Sequence, residues 1–186
     1  MDDLFRDRHA KLGLMVLRLF PKVMQMILRY YVTPQWLKQK YSKQHFSFVL
    51  TENEVILMDK LPNMDEFTFE IFYKILRSEN VLDEPTCKWG KIPQDTDVEI
   101  SDDIQRLINA THLIRSITSE QVTETKLEKL LEEIRLIVSR IDSFLELDTL
   151  ESMFNSFIKS NSDDSISILQ DLAMVKAIDG RFLKMI

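Results

Sequence analysis

Arg106, Asn109 and His112 recur at three-residue intervals within Cys87–Arg115, CKWGKIPQDTDVEISDDIQRLINATHLIR, and their side chains suit phosphate chemistry. A histidine titrates near neutral pH and can serve as general acid or base. An arginine stabilises charge developing on a phosphate. Together they would make an edge that grips or cleaves RNA. The simpler reading, polar residues on the wet side of an amphipathic helix, is preferred because strings this loose recur by chance. On a regular helix the six-residue offset from Arg106 to His112 also sets the two side chains well apart around the axis. An active arrangement would need a local distortion. His112 and Arg115 are three apart, share a face and can meet a phosphate or a carboxylate together.

Two other groups carry chemistry. Lys38, Lys40, Lys43 and His45 interleave with Tyr41 and Phe46, a pattern in which aromatics stack on bases and lysines neutralise a single RNA strand. A net charge of -6 favours a solvated helix face instead. Lys88 would lower the pKa of neighbouring Cys87, although a quiet structural thiol is the preferred reading. With one cysteine the chain has no internal disulfide and cannot build a zinc finger or RING cluster. His9, His45 and His112 are too scattered for a metal site, and no motif calls for a cofactor. Neither a Ser/His/Asp triad nor a phosphate-cradling glycine loop is present.

The most apolar stretch, Leu12 to Val32, is interrupted by Arg18, Pro21, Lys22 and Arg29, so no membrane span or secretory signal is expected. The glycosylation acceptor Asn109-Ala110-Thr111 is set aside because it falls on a helix of a protein expected in the cytoplasm. At 186 residues, with 3 glycines and 5 prolines, the chain reads as one domain of long helices.

The elements that position these residues follow from periodicity. Met1 to His9 reads as charged and solvated. Leu12 to Val32 is a helix with Leu12, Met15, Leu19 and Val23 on one stripe, kinked or restarted at Pro21. Thr33-Pro34 opens the next helix, with Trp36, Leu37 and Tyr41 on its apolar side. Phe46 to Leu50 reads as an extended link. Thr51 and Glu54 form a capping box, and Pro62 ends that helix. Asp65 caps a helix over 66–77 that is apolar nearly all round and belongs in the centre. In the loop, Gly90 takes a turn closed to other residues, Trp89 anchors it, and Pro93, Asp95 and Asp97 shape it. Ser101 reads as the next N-cap, with Asp102 and Asp103 in the first turn. Thr118 to Glu124 turns the chain. Leu127, Leu130, Ile134, Ile137, Ile141 and Phe144 make a heptad seam expected to lie on Phe67 to Leu76. Asp148 with Glu151 starts a further helix. Ser160 to Ser165 is a loop, 166–177 a final helix, and Gly180 its stop.

This order of pieces resembles one known family. Phe20-Pro21-Lys22-Val23 begins the similarity, and Pro34, Leu37, Leu50-Thr51 and the aromatic helix continue it. Its most specific part is Trp89-Gly90-Lys91 with Pro93, Asp95 and Thr96, followed by Asp103-Ile104 and Arg106, and Val122 to Ile134 fits as well. Together they resemble the HEPN-like domain first noticed in the DAZ-interacting zinc-finger ubiquitin ligase. The resemblance covers roughly residues 20–144. It implies a helical bundle that pairs through helices, and for active members RNA cleavage without metal. In its register Thr111 and His112 fall where the family often shows Arg-Asn, and Ile117 falls near the family histidine, so the catalytic pair is degenerate.

The resulting expectation is an all-α protein: an HEPN-type bundle over 1–147, then one or two extra C-terminal helices over 148–186. Its leading function is a non-catalytic interaction or scaffold domain in signalling or RNA-linked defence, with protein or itself as partner. The alternatives are a metal-independent endoribonuclease using Arg106, Asn109 and His112, with Lys38, Lys40, Lys43 and Arg115 holding the RNA, and an accessory domain of a ubiquitin ligase. Self-pairing is expected through the methionine face Met15, Met24 and Met26.

Overall fold

The computed structural model describes residues 2–43, 49–160 and 164–175. Among them every regular element is helical, and the protein is an all-α bundle. The first helix, α1 (Asp2–Leu14), runs without a break through a π-helical turn, Met15–Leu19, into α2 (Phe20–Tyr31). Pro21 explains the turn. Proline donates no hydrogen bond, and its ring crowds the carbonyl four residues back. Just before it the helix widens, and the Phe20 N–H donates to the Met15 carbonyl five residues back. The ladder thus restarts with Pro21 in the first turn of α2. The stripe Leu12, Met15, Leu19 and Val23 is fully buried.

The start of the chain differs from expectation at one residue. Residues 2–9 are helical, with Asp2, Asp3, Leu4 and Asp7 exposed as expected, but His9 is buried. Its cover comes from far along the sequence. His9 Nε2 lies 2.8 Å from the Ile114 carbonyl and Nδ1 3.0 Å from Ser119 Oγ. The last helix, α9 (Ser165–Met174), packs along α1. At Gly13 a Cβ would sit 3.1 Å from Ile168 Cγ2, so the missing side chain lets the two helices meet closely.

The helix α3 (Pro34–Lys43) opens as predicted, with the Trp36 N–H donating to Thr33 Oγ1 at 3.2 Å. Its apolar side is thinner than expected: Leu37 is buried, but Trp36 is exposed. Of the expected link over 46–50, residues 46–48 lie outside the described residues; Val49 and Leu50 are irregular. The capping box on α4 (Glu52–Asp59) is present, with the Thr51 N–H donating to Glu54 Oε2 at 2.7 Å. The central helix α5 (Phe69–Ser78) starts at Thr68, not Asp65. The Thr68 hydroxyl accepts the Ile71 N–H at 3.3 Å, whereas Asp65 bonds to Gln25. As expected, α5 is buried nearly all round.

Helix α6 (Ile100–Ser116) begins with Glu99 as cap, so Ser101 lies inside it and is buried. A 3₁₀ turn, Ser119–Gln121, leads to α7 (Glu124–Leu145). On α7 the seam is real over its middle: Leu130, Ile134, Ile137 and Ile141 are buried, Leu127 is half-buried, and Phe144, expected to close it, is exposed. The seam's main packing is not on α5, however. It lies chiefly against α1, α2, α6 and α8 (Thr149–Lys159), and α2 packs on both α5 and α7. Asp148 makes no side-chain cap for α8. The Asp142 carboxylate of α7 does so instead, accepting the Leu150 and Glu151 N–H groups at 3.2 and 2.8 Å. Leu150, Phe154 and Leu172 join the same core as the preceding helices. In the expected loop over 160–165, residues 161–163 lie outside the described residues, as do Ala177 and Gly180.

Met15 and Met24 are fully buried in this core and Met26 is half-buried against it, so the methionine face expected to pair two chains is not a free surface. Among the described residues no helix is long and apolar enough to cross a membrane.

Candidate functional site

The loop between α5 and α6 is fastened to α6 by the polar residues the sequence singles out. Gly90 has a φ of 83°, the left-handed region that favours glycine, and its N–H donates to Gln105 Oε1 at 2.8 Å. Asn109 Nδ2 donates to the Lys91 carbonyl at 3.0 Å, and Asn109 Oδ1 accepts from Gln105 Nε2 at 2.8 Å. Arg106 donates to the Gln94 carbonyl at 2.6 Å and to Asp103 at 3.0 Å. Within the loop, Asp97 accepts the Gln94 N–H at 2.8 Å. Pro93 is buried, while the Lys91 side chain is exposed. The bonds from α6 to Gly90 and Lys91 reach backbone groups outside any helical ladder, and the Gln94 carbonyl, which also accepts the Asp97 N–H at 2.9 Å, takes Arg106 as a second donor.

Asp102 and Asp103 do more than meet the helix dipole. Both are fully buried. Asp102 accepts the Thr86 N–H at 2.7 Å, the Thr86 hydroxyl at 2.9 Å and the Glu99 N–H at 3.2 Å. Asp103 takes two bonds from Arg140 of α7, at 2.6 and 2.9 Å, besides that from Arg106. Bonding to Asp103 raises the Arg140 pKa above its ordinary value. One carboxylate therefore joins the loop-holding arginine to the neighbouring helix.

Trp89 caps this arrangement. Its ring meets Tyr73 edge-on at 5.5 Å, and the Arg77 guanidinium lies 4.5 Å over it. Burial pushes the Tyr73 phenol up to about 12, with Arg77 pulling it the other way. Trp89 is half-buried. Trp89→Ala should therefore cost about 3 kcal/mol, the lower end of the range for aromatic truncation. Denaturant unfolding followed by circular dichroism checks this, and an unchanged midpoint would show that the ring does not anchor the loop.

The candidate residues are thus partly gathered and partly separated. Arg106 and Asn109 meet at the loop. His112 is half-buried farther along α6, and Arg115 is exposed near its end. From Ile100 to Ser116 the helix is regular, without the distortion that an Arg106–His112 pair would need. In the lysine patch Lys40 is engaged: it bonds both Glu79 oxygens, at 2.7 and 2.9 Å, and stands 5.0 Å over the Trp36 ring. The Tyr41 hydroxyl also donates to Glu79. Burial, then Glu79, pushes its pKa well above the usual phenol value. Lys38 and Lys43 are exposed, and His45 and Phe46 lie outside the described residues. The Cys87 thiol is raised above its ordinary value, first by burial and then by Asp102, contrary to the lowering expected from Lys88. Among the described residues no three His, Cys, Asp or Glu side chains are placed to hold a metal ion.

Two features escape sequence reasoning. Lys74, on the buried helix α5, bonds both Glu54 oxygens at 2.9 Å and the Val49 carbonyl at 3.1 Å, with Glu70 3.3 Å away. Nothing local marks Lys74 and Glu54 as partners. The second is a cleft of about 770 Å³ between the π turn, α4, the start of α5 and the α8–α9 end. Pro21 could have pointed to it, since a proline following an unbroken apolar helix asks for a π turn or a kink. The chain matches no protein-family model, no curated protein and no solved structure.

Proposed function

We propose that this chain is a non-catalytic helical interaction module of the HEPN-like type. One observation carries the reading. Arg106 and Asn109, the residues that would handle phosphate, give their hydrogen bonds to the Gln94 and Lys91 carbonyls. Asp103 holds Arg106 in place. A phosphate would have to compete with a buried carboxylate and with backbone carbonyls already bonded to these side chains. The Trp89-Gly90-Lys91 loop, the core of the resemblance, serves as a packed anchor beside α6.

The surface also favours binding over reaction. Tyr30 and Tyr31 stand edge-to-face at 5.2 Å, and Phe144 lies 5.0 Å from Tyr30. All three are among the exposed large apolar residues. Aromatics of this kind are enriched at protein interfaces.

The test is incubation of the protein with labelled single-stranded RNA in EDTA, in parallel with His112→Ala. The expected result is no cleavage by either protein. Cleavage by the natural chain that disappears in the variant would replace this reading by a metal-independent ribonuclease.

A further inference from the structure

We infer that the cleft beside the π turn takes a basic amphipathic helix of a partner protein; the inference rests on the chain's being an interaction module. The floor and walls are apolar and include Leu17, Leu57, Met64, Phe67, Met153 and Met174. Met174 is 82% exposed at the edge. Methionines fill irregular gaps and adapt to different side chains, as suits a groove that receives another helix.

Charge decides the kind of helix. Five carboxylates line the cleft, Glu54, Asp65, Glu66, Glu70 and Asp171, against two cations, Arg18 and Lys22. Lys74 already meets Glu54 and Glu70 from below. Lys22 donates to Gln25 at 3.0 Å, and Gln25 passes a bond to Asp65 at 3.4 Å, so the Lys22 charge is turned toward a carboxylate. The rest of the rim sets Asp171, which makes no ion pair among the described residues, and Glu66, paired with exposed Lys60, against exposed Arg18, and with Asp65 the balance of charge stays negative. An apolar trough with an acidic rim is complementary to a helix with aliphatic residues on one face and lysine or arginine beside it. The same rim repels nucleic acid. The wide π turn contributes by setting Leu17 half-exposed on the wall, beside Arg18. Such turns recur at functional sites.

Fluorescence anisotropy on the full chain tests this with a labelled Leu/Lys amphipathic helical peptide of about 18 residues at about 0.15 M salt. The comparisons are a Leu/Glu peptide of the same pattern and a scrambled Leu/Lys peptide that cannot form an apolar face. The Leu/Lys helix should bind at micromolar strength and both comparison peptides far more weakly. Asp171→Lys at the rim should weaken binding about tenfold. Glu128→Lys, an equal charge change on the exposed face of α7, should change it less than about twofold. Met174→Asp makes the rim more acidic but removes an apolar contact, and it should also weaken binding. Equal losses from Asp171→Lys and Glu128→Lys would show diffuse attraction to an acidic protein and overturn the proposal. So would equal binding of the scrambled peptide, tighter binding by Met174→Asp, or no binding at all. None of these outcomes alters the RNA result, so failure here is distinct from failure of the non-catalytic reading.

Discussion

Lys74→Ala should cost about 3–5 kcal/mol of folding stability, the range for removing one partner of a buried ion pair. At this chain length that corresponds to a Tm lower by roughly 10 °C. The cause is Glu54, whose side chain is 7% exposed and whose two oxygens would lose their cation. The Val49 carbonyl and Glu70 would lose a donor in the same step. Lys74→Met combined with Glu54→Gln should recover part of the loss, because glutamine keeps an acceptor for the Thr51 N–H while removing the buried charge. Thermal unfolding of the two variants beside the natural chain checks this. A Lys74→Ala protein as stable as the natural chain would mean that Glu54 reaches water and that α4 is not pinned to α5 through this pair.

The second large effect is expected at Asp103. Asp103→Ala removes the acceptor shared by Arg106 and Arg140 and should cost about 2–3 kcal/mol. The figure is set below that for Lys74 because the arginine side chains, 20% and 32% exposed, can turn partly to water. Asp103→Asn should cost less, since the amide oxygen still accepts one arginine hydrogen bond. Chemical denaturation of both variants checks the order. Equal stability of all three proteins would remove Asp103 as the link between α6 and α7.

What could be read from the sequence was local. The Thr51–Glu54 box, the Thr33 cap, the Gly90 turn and the α7 seam each depend on residues a few positions apart, and each is present. The apolar ring around α5 likewise announced a central helix. What escaped notice depends on residues brought together by folding. His9 looked solvated because Ile114 and Ser119, its partners, come a hundred residues later. Asp148 looked like a cap, but Asp142, one turn before the end of α7, already reaches the first N–H groups of α8. The methionine face looked free because its cover is assembled from several later elements.

The candidate site was legible as a set of residues but not in the bonds those residues make. Arg106 and Asn109 stood out because polar side chains beside a glycine- and proline-shaped loop look available. Their bonding partners are backbone carbonyls in that loop, which no pattern of side-chain types reveals. Arg140, the residue that completes the cluster, lies 37 positions from Asp103 and carries no sequence mark of its own.

Hydrogen exchange across residues 86–97 in the double variant Arg106→Ala, Asn109→Ala is the most direct test that α6 holds the loop rather than handles RNA. The loop amides should exchange markedly faster, and unfolding free energy should fall by about 2 kcal/mol, the sum expected for two hydrogen-bonding side chains. Unchanged loop protection and unchanged stability, with RNA cleavage present in the natural chain and absent in the variant, would contradict the account.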